Sequence, residues 1–270
     1  METDSFGSFK TKNLFSECNL SLPLRQLYLD LVSPLEGMEE LCLSKRNITI
    51  KIPKPGAKYW EQAASMVNFG YNRLYLKGSD STVDLEGEGS DRSDLNLTVV
   101  AIDKFGDKEI VVGTHRLVFS NNLEVFRLFE AAPGNKWLHE QRGGTGMMAE
   151  YTRLAFHPLI DALIKNLPAE QKQTVYDYRK WIMKNLWVFS QGAMKGLGVE
   201  VAYLILAPNV NRFLRRSNLF STELSGVVPS RNEYSREIRE KFKEYWKPDA
   251  EPQDRPKVYL APRVFSDDKD

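Results

Sequence analysis

The chain has 270 residues, with 37 Lys and Arg against 36 Asp and Glu, for a formal net charge of +1. Apolar residues make up 42% and charged residues 27%, proportions of an ordinary globular protein long enough to bury a sizeable core. Neutral charge argues against a dedicated nucleic-acid binder, and the two cysteines, Cys18 and Cys42, rule out a disulfide framework or a Cys-rich zinc module.

The opening METDSFGSFK lacks a basic stretch followed by an apolar run, so it does not read as a signal peptide. No stretch approaches the ~20 apolar residues of a membrane span, which leaves a reducing, cytoplasmic compartment as the expectation. Residues 1–45 read as an N-terminal helical extension ahead of a single domain at 46–270. Pro23 to Val32 and Glu36 to Leu43 carry apolar residues at helical intervals, broken by Pro34 and Gly37. Ile48, Ile50 and Ile52 alternate with Thr49 and Lys51 as a half-buried strand. Trp60, Val67, Tyr71 and Leu74 then place a helix from about Lys58 to Leu76, ended by Gly78.

Residues 79–94 are acidic, polar and Gly-containing, and read as a loop. Leu97 to Ile102 and Ile110 to Phe119 form a hairpin around a turn at 103–107, and residues 120–148 are a long mixed connection. Glu150 to Phe156 is a strand stopped by His157-Pro158. Val175, Tyr178, Ile182, Leu186, Phe189, Ala193 and Leu197 lie on one helical stripe. Val199 to Ala207 is nearly all apolar, as in a central strand covered on both faces. A short basic helix at Asn209 to Ser217 follows. Ser230 and Glu233 have capping-box spacing for a helix through Trp246, and Lys257 to Val264 is a final strand. The order predicts an α/β protein, a mixed sheet flanked by helices.

Familiar chemistries are missing. His115, His139 and His157 are dispersed, with no HExxH or CxxC, so no metal site is expected. P-loop, GxSxG and strand-linked GxGxxG motifs are absent. The patch Gly143-Gly144-Thr145-Gly146 precedes a strand instead of joining a strand to a helix, and so has no helix N-terminus behind it to hold a phosphate. His115 and His157 read as ordinary strand-edge residues.

Four local patterns in order carry a resemblance. They are Arg73 in FGYNRLY, the pair Asp91 and Asp94, the strand Val112-Gly113-Thr114-His115-Arg116-Leu117, and above all Glu150-Tyr151-Thr152-Arg153-Leu154-Ala155. Over roughly residues 47–225 the chain resembles the acyl-transferring branch of the GNAT superfamily, long-chain N-acyl amino acid synthases and acyl-homoserine-lactone (autoinducer) synthases among them. The resemblance implies a GNAT-like, mostly antiparallel twisted sheet with splayed central strands. It also implies N-acyl transfer of a medium or long acyl group from a phosphopantetheine thioester to an amino acid or similar small amine, with no tightly bound cofactor. In this reading Glu150, Arg153 and Arg116 are catalytic, and Arg73, Asp91 and Asp94 bind substrate.

Two departures qualify it. Residues 76–90 contain no Trp, which argues against the autoinducer alternative with S-adenosylmethionine as acceptor. His157-Pro158-Leu159-Ile160 is unlike the R-x-x-G-x-G/A pyrophosphate loop, which favours acyl carrier protein over coenzyme A as donor. Arg212, Arg215 and Arg216 form a basic cluster suited to docking an acidic carrier.

Physical chemistry frames these expectations. A carboxyl on an interior strand gains proton affinity from burial and becomes a usable base. Arginine forks match a carboxylate, yet Arg116 and Arg153 serve equally to pair with Glu150, Asp91 and Asp94. Arg73 at a helix end also suits dipole compensation. Glu150 and Arg153 are three apart and share a face only if a residue bulges between them. A non-catalytic acyl-binding or sensing module is the contrasting expectation; it requires a Glu150 saturated by structural partners with no cleft beside it.

Overall fold

The computed structural model describes residues 5–10, 22–35, 38, 40–73, 95–120, 123–131, 148–199, 202–219, 221–247 and 249–261. A seven-stranded sheet runs β3 (Thr49–Lys51), β4 (Leu95–Phe105), β5 (Lys108–Ser120), β7 (Met148–Phe156), β8 (Ala202–Leu206), β11 (Lys257–Ala261) and β9 (Thr222–Glu223). Every adjacent pair is antiparallel except β7 and β8. The β4–β5 hairpin turns at Gly106, whose φ of 62° suits a residue without Cβ. From Ile110 to Ser120 every residue of β5 is buried, as expected of a central strand covered on both faces.

One face of the sheet carries Val100, Ile102, Val111 and Val118, which pack with α1 (Leu22–Val32), α2 (Lys58–Tyr71), α3 (Glu124–Leu128) and the short helices α7 (Glu233–Lys241) and α8 (Lys243–Trp246). The opposite face carries Val99, Ala101, Val112, Leu117 and Phe119, under α4 (Pro158–Asn166), α5 (Ala169–Gly196) and α6 (Pro208–Arg216). Alternation along each strand feeds the two cores from one sequence. At Gly113 the long helix comes so close that an added Cβ would stand 2.5 Å from Ile182 Cγ2. Two further pairs complete the fold, β1 (Ser5–Lys10) with β2 (Glu40–Ser44), and β6 (Phe129–Ala131) with β10 (Val227–Pro229).

Several expectations need correction. The first 45 residues are helical at α1, followed by a 3₁₀ turn at Ser33–Leu35, whereas Glu40–Ser44 is a strand. Its period of two, with Leu41 and Leu43 inside and Glu40 and Cys42 outside, prevails over the helical spacing because β1 supplies a partner, Phe9 opposite Leu41. Leu24, Leu31, Val32, Leu41 and Leu43 are buried in the same clusters as the sheet residues. The hairpin turn is tighter than expected, with Phe105 directly opposite Lys108.

The stripe along α5 also changes course. Val175, Tyr178, Ile182 and Leu186 are fully buried, but Phe189 and Leu197 are exposed and Trp187, Ser190, Gln191 and Met194 take over. A straight helix crossing a twisted sheet meets it along a rotating stripe. The expected capping box is replaced by an Asn232 cap: its side-chain oxygen accepts from the Ser235 N–H at 2.7 Å, while Ser230 Oγ accepts from Asn232 N.

Candidate active site

Strand β7 is paired differently on its two edges. Toward β5 it is matched from Met148 to Phe156, with one irregularity where Thr114 opposes Ala155 and Arg116 opposes Thr152. There Arg153 and Leu154 together face the single residue His115, a β-bulge. Arg153 accommodates it with φ of 56°, a left-handed conformation uncommon outside glycine and asparagine. Before the bulge Ala149 and Tyr151 pack toward α5 and α6; after it Leu154 and Phe156 do. Glu150, Thr152 and Arg153 therefore share the other face. The shared face that spacing alone denies is restored by the extra residue.

Toward β8, among the described residues, the pairing runs from Ala149 to Tyr151, opposite Ala202 to Leu204, and goes no further. Beyond that the parallel strands part. A cavity of about 390 Å³ occupies the gap, lined by β7 from Glu150 to Phe156, β8 from Leu204 to Leu206, and side chains from α2 to α8. The splayed central strands expected from the sequence are present.

At the closed end of the gap Glu150 is 1% exposed. Its Oε2 accepts the Val125 N–H from the first turn of α3 at 3.1 Å. Burial first, and the Glu124 carboxylate second, push its pKa up to about 8, against the Val125 hydrogen bond and the Arg116 and Arg153 guanidiniums. Arg116 is 2% exposed and donates from Nε to Thr152 Oγ1 at 2.9 Å. The Arg153 guanidinium lies 5.4 Å from the Tyr71 ring of α2. Two carboxyls, Glu124 and Glu150, thus stand among two guanidiniums. Glu124, which also lines the cavity, escaped the sequence reading because it lies in the long connection after β5 without any motif. The cue was available only as an acidic residue opening a short apolar run, Glu124-Val125-Phe126.

On the opposite face His115 Nε2 meets Ser190 Oγ at 2.6 Å, and burial pushes the imidazole pKa down to about 3. Tyr151 stacks on Trp187 with centroids 4.6 Å apart and receives a hydrogen bond from Gln191 at 3.1 Å. These groups make a buried, uncharged wall. His115 is thus an interior residue of β5 and not a strand-edge one.

His157 is likewise interior, and it closes the junction between β7 and α4. Its Nδ1 accepts the Leu159 N–H at 3.1 Å, its Nε2 reaches the Leu31 carbonyl of α1 at 3.0 Å, and burial holds its pKa down at about 4. The start of α4 is therefore capped from within and tied to α1 through His157, with Pro158 at its first turn on the cavity lining.

The remaining sequence-derived candidates are placed as follows. Arg73 lines the cavity at its rim and pairs with Asp161 of α4 at 3.3 Å, half-exposed, apart from the Glu150 group. Asp91, Asp94 and the Gly143–Gly146 patch lie outside the described residues. Arg212, Arg215 and Arg216 are exposed on α6, while Val210, Phe213 and Leu214 of that helix wall the cavity. No helix among the described residues is long and apolar enough to cross a membrane. Chemically, the slot joins a proton-accepting carboxyl, the arginines Arg73, Arg153 and Arg179 and an apolar channel.

No protein-family model and no curated protein matches the sequence. Among solved structures the chain is similar to FeeM, an N-acyl amino acid synthase from uncultured soil microbes, at 14% identity over 80% of this chain and 90% of that one, with a TM-score of 0.42. It is similar to TofI, solved in a ternary complex with an inhibitor and MTA, at 13% identity over 79% and 89%, with a TM-score of 0.40. A GNAT-family acetyltransferase from Staphylococcus aureus Mu50 matches at 13% identity over 80% and 98%, with a TM-score of 0.39.

Proposed function

We propose that the chain is a GNAT-like N-acyltransferase that moves a medium or long acyl group from a phosphopantetheine thioester to the amine of an amino acid or similar small amine. The observation that carries this reading is the position of Glu150. It is a buried carboxyl with raised proton affinity, beside Arg116 and Arg153, at the point where β7 and β8 separate into a cavity. Such a cleft is what a purely structural carboxyl lacks, so the site favours catalysis over a non-catalytic acyl-binding module.

In the proposed reaction Glu150 takes a proton from the acceptor amine, whose lone pair attacks the thioester carbonyl. The C–N bond forms and the C–S bond breaks. The leaving thiolate is then protonated, regenerating the carboxylate. Arg153 and Arg116 orient the acceptor carboxylate and compensate Glu150. The edge of β7 beyond Tyr151, which has no β8 partner, offers backbone N–H groups to the developing oxyanion. Arg73, at the rim, guides the acceptor, and Asp91 and Asp94 are assigned to the same task.

Acyl carrier protein is favoured as donor because the start of α4, where a pyrophosphate would otherwise sit, already has its Leu159 N–H taken by His157. The exposed arginines of α6 suit an acidic carrier. A cytoplasmic location fits such a partner. The test incubates the purified chain with acyl carrier protein thioesters, coenzyme A thioesters, a panel of amino acids and S-adenosylmethionine, and seeks amides by mass spectrometry. Amides from a carrier thioester and an amino acid are expected. Homoserine-lactone products would instead make the chain an autoinducer synthase, and no product from any pair would overturn acyl transfer.

A further inference from the structure

Arg179 of α5 has no role in the chemistry above, yet it lines the same cavity from the opposite face. Its guanidinium lies against two rings that themselves meet edge-to-face, 4.5 Å from the centroid of Phe156 at the end of β7 and 4.8 Å from that of Phe213 on α6. It is largely buried, and that burial lowers its proton affinity. Its Nε is buried with no hydrogen-bond partner, and among the described residues no ion pair reaches it. The carboxylate that it feels, Asp161, is engaged by Arg73 at 3.3 Å. Burying a guanidinium whose nearest carboxylate is already paired with another arginine is costly. Cation–π contact with the two rings offsets part of that, and the fork keeps donors for an anion.

Its place along the slot points to which anion. Phe156 lies six residues beyond Glu150 on β7, matched by only five on β5 because of the bulge, roughly 17 Å of strand, comparable with the reach of an extended pantetheine arm. Phe213, which covers Arg179, belongs to the helix whose outer face carries Arg212, Arg215 and Arg216. A prosthetic group entering past α6 would bring its phosphate to Arg179 as its thioester reached Glu150. We infer that Arg179 is the anchor for the phosphate of a phosphopantetheine donor, an anion site at the cavity mouth that takes the place of a helix N-terminus. This rests on the acyl-transfer reading for the ligand's identity, though not for the presence of an anion site.

Calorimetry on the full chain, with 4′-phosphopantetheine and pantetheine as probes, tests it. Wild type is expected to bind the phosphorylated form at least ten-fold more tightly. Arg179→Met, which keeps apolar bulk beside the rings, should abolish that preference and leave pantetheine binding intact. Arg179→Lys, which keeps the charge but loses the fork, should retain part of it and serves as the reading if the Met variant fails to fold. Holo-carrier protein and coenzyme A are titrated alongside; whichever weakens in the Met variant is the phosphate's source. An equal preference in Arg179→Met and wild type, or no preference in wild type, overturns the anchor. Amide formation is scored separately. Transfer with an unchanged KM in Arg179→Met removes the anchor and leaves the enzyme reading standing, whereas an Arg179-dependent phosphate preference without any transfer does the reverse.

Discussion

The two edges of β7 are built from the same residues and do opposite things. Against β5 the ladder runs the length of the strand, interrupted once by the bulge at Arg153, and α5 seals the hairpin behind it so closely that Gly113 has no room for a methyl group. Against β8 the ladder stops after Tyr151. The sealed edge supplies rigidity and the open edge supplies access. A carboxyl at the fork inherits both: it is buried enough to be basic and near enough to the gap to be reached. Substitutions on the two edges should therefore separate stability from activity.

The largest effect is expected at the open edge. Glu150→Gln should lower kcat/KM for amide formation by roughly 100- to 10,000-fold, the range for loss of a general base. The folded protein holds the Glu150 proton up to about pH 8, whereas an unfolded carboxyl releases it near 4.5. The stabilising protonated state is complete below the lower value and is lost as the pH climbs through the upper one. Thermal melts at pH 8 should accordingly show the Gln variant more stable than wild type, while wild-type activity rises through an acid limb near that pH. A Gln variant that melts lower at pH 8, or an acid limb near 4.5, would contradict the site's electrostatics.

At the sealed edge the signature reverses. Gly113→Ala places a methyl group 2.5 Å from Ile182 Cγ2 and should destabilise by about 1–3 kcal/mol in urea titrations, as overpacking does. Turnover per folded molecule should stay unchanged. A smaller, purely associative effect is expected outside the cavity: reversing Arg212, Arg215 and Arg216 to Glu should raise KM for the carrier thioester about ten-fold with kcat intact, a difference that added salt diminishes. Smallest is Glu124→Gln. Removing the second carboxylate takes away a contribution that raises the Glu150 pKa, so the acid limb should move to lower pH by a fraction of a unit, read from the pH–rate profile.

The elements of the open edge were the most legible in the sequence. The strand from Glu150 to Phe156, the apolar run before Ala207 and the basic helix after it each bury enough regular surface for periodicity to show them. The bulge was legible only as a conflict, since Glu150 and Arg153 are wrongly spaced for one face unless the strand gains a residue. What escaped depended on distant partners. The strand Glu40–Ser44 exists because β1 pairs with it, and the outward turn of Phe189 reflects a twist that no local window contains. Glu124 and Arg179 became visible as site residues only once separate elements met around the gap.

The bond from His157 to the Leu31 carbonyl, with Phe9, Leu41 and Leu43 laid into the core beneath α5, bears on how the chain is handled as a recombinant product. An expression clone trimmed to begin near residue 46 would strip the cover from Leu159, Ile160 and Tyr178 and present a sticky aliphatic face to its neighbours. Inclusion bodies, and not a tidier crystal, are the outcome to plan for. Affinity tags are better attached ahead of the first strand than in place of it.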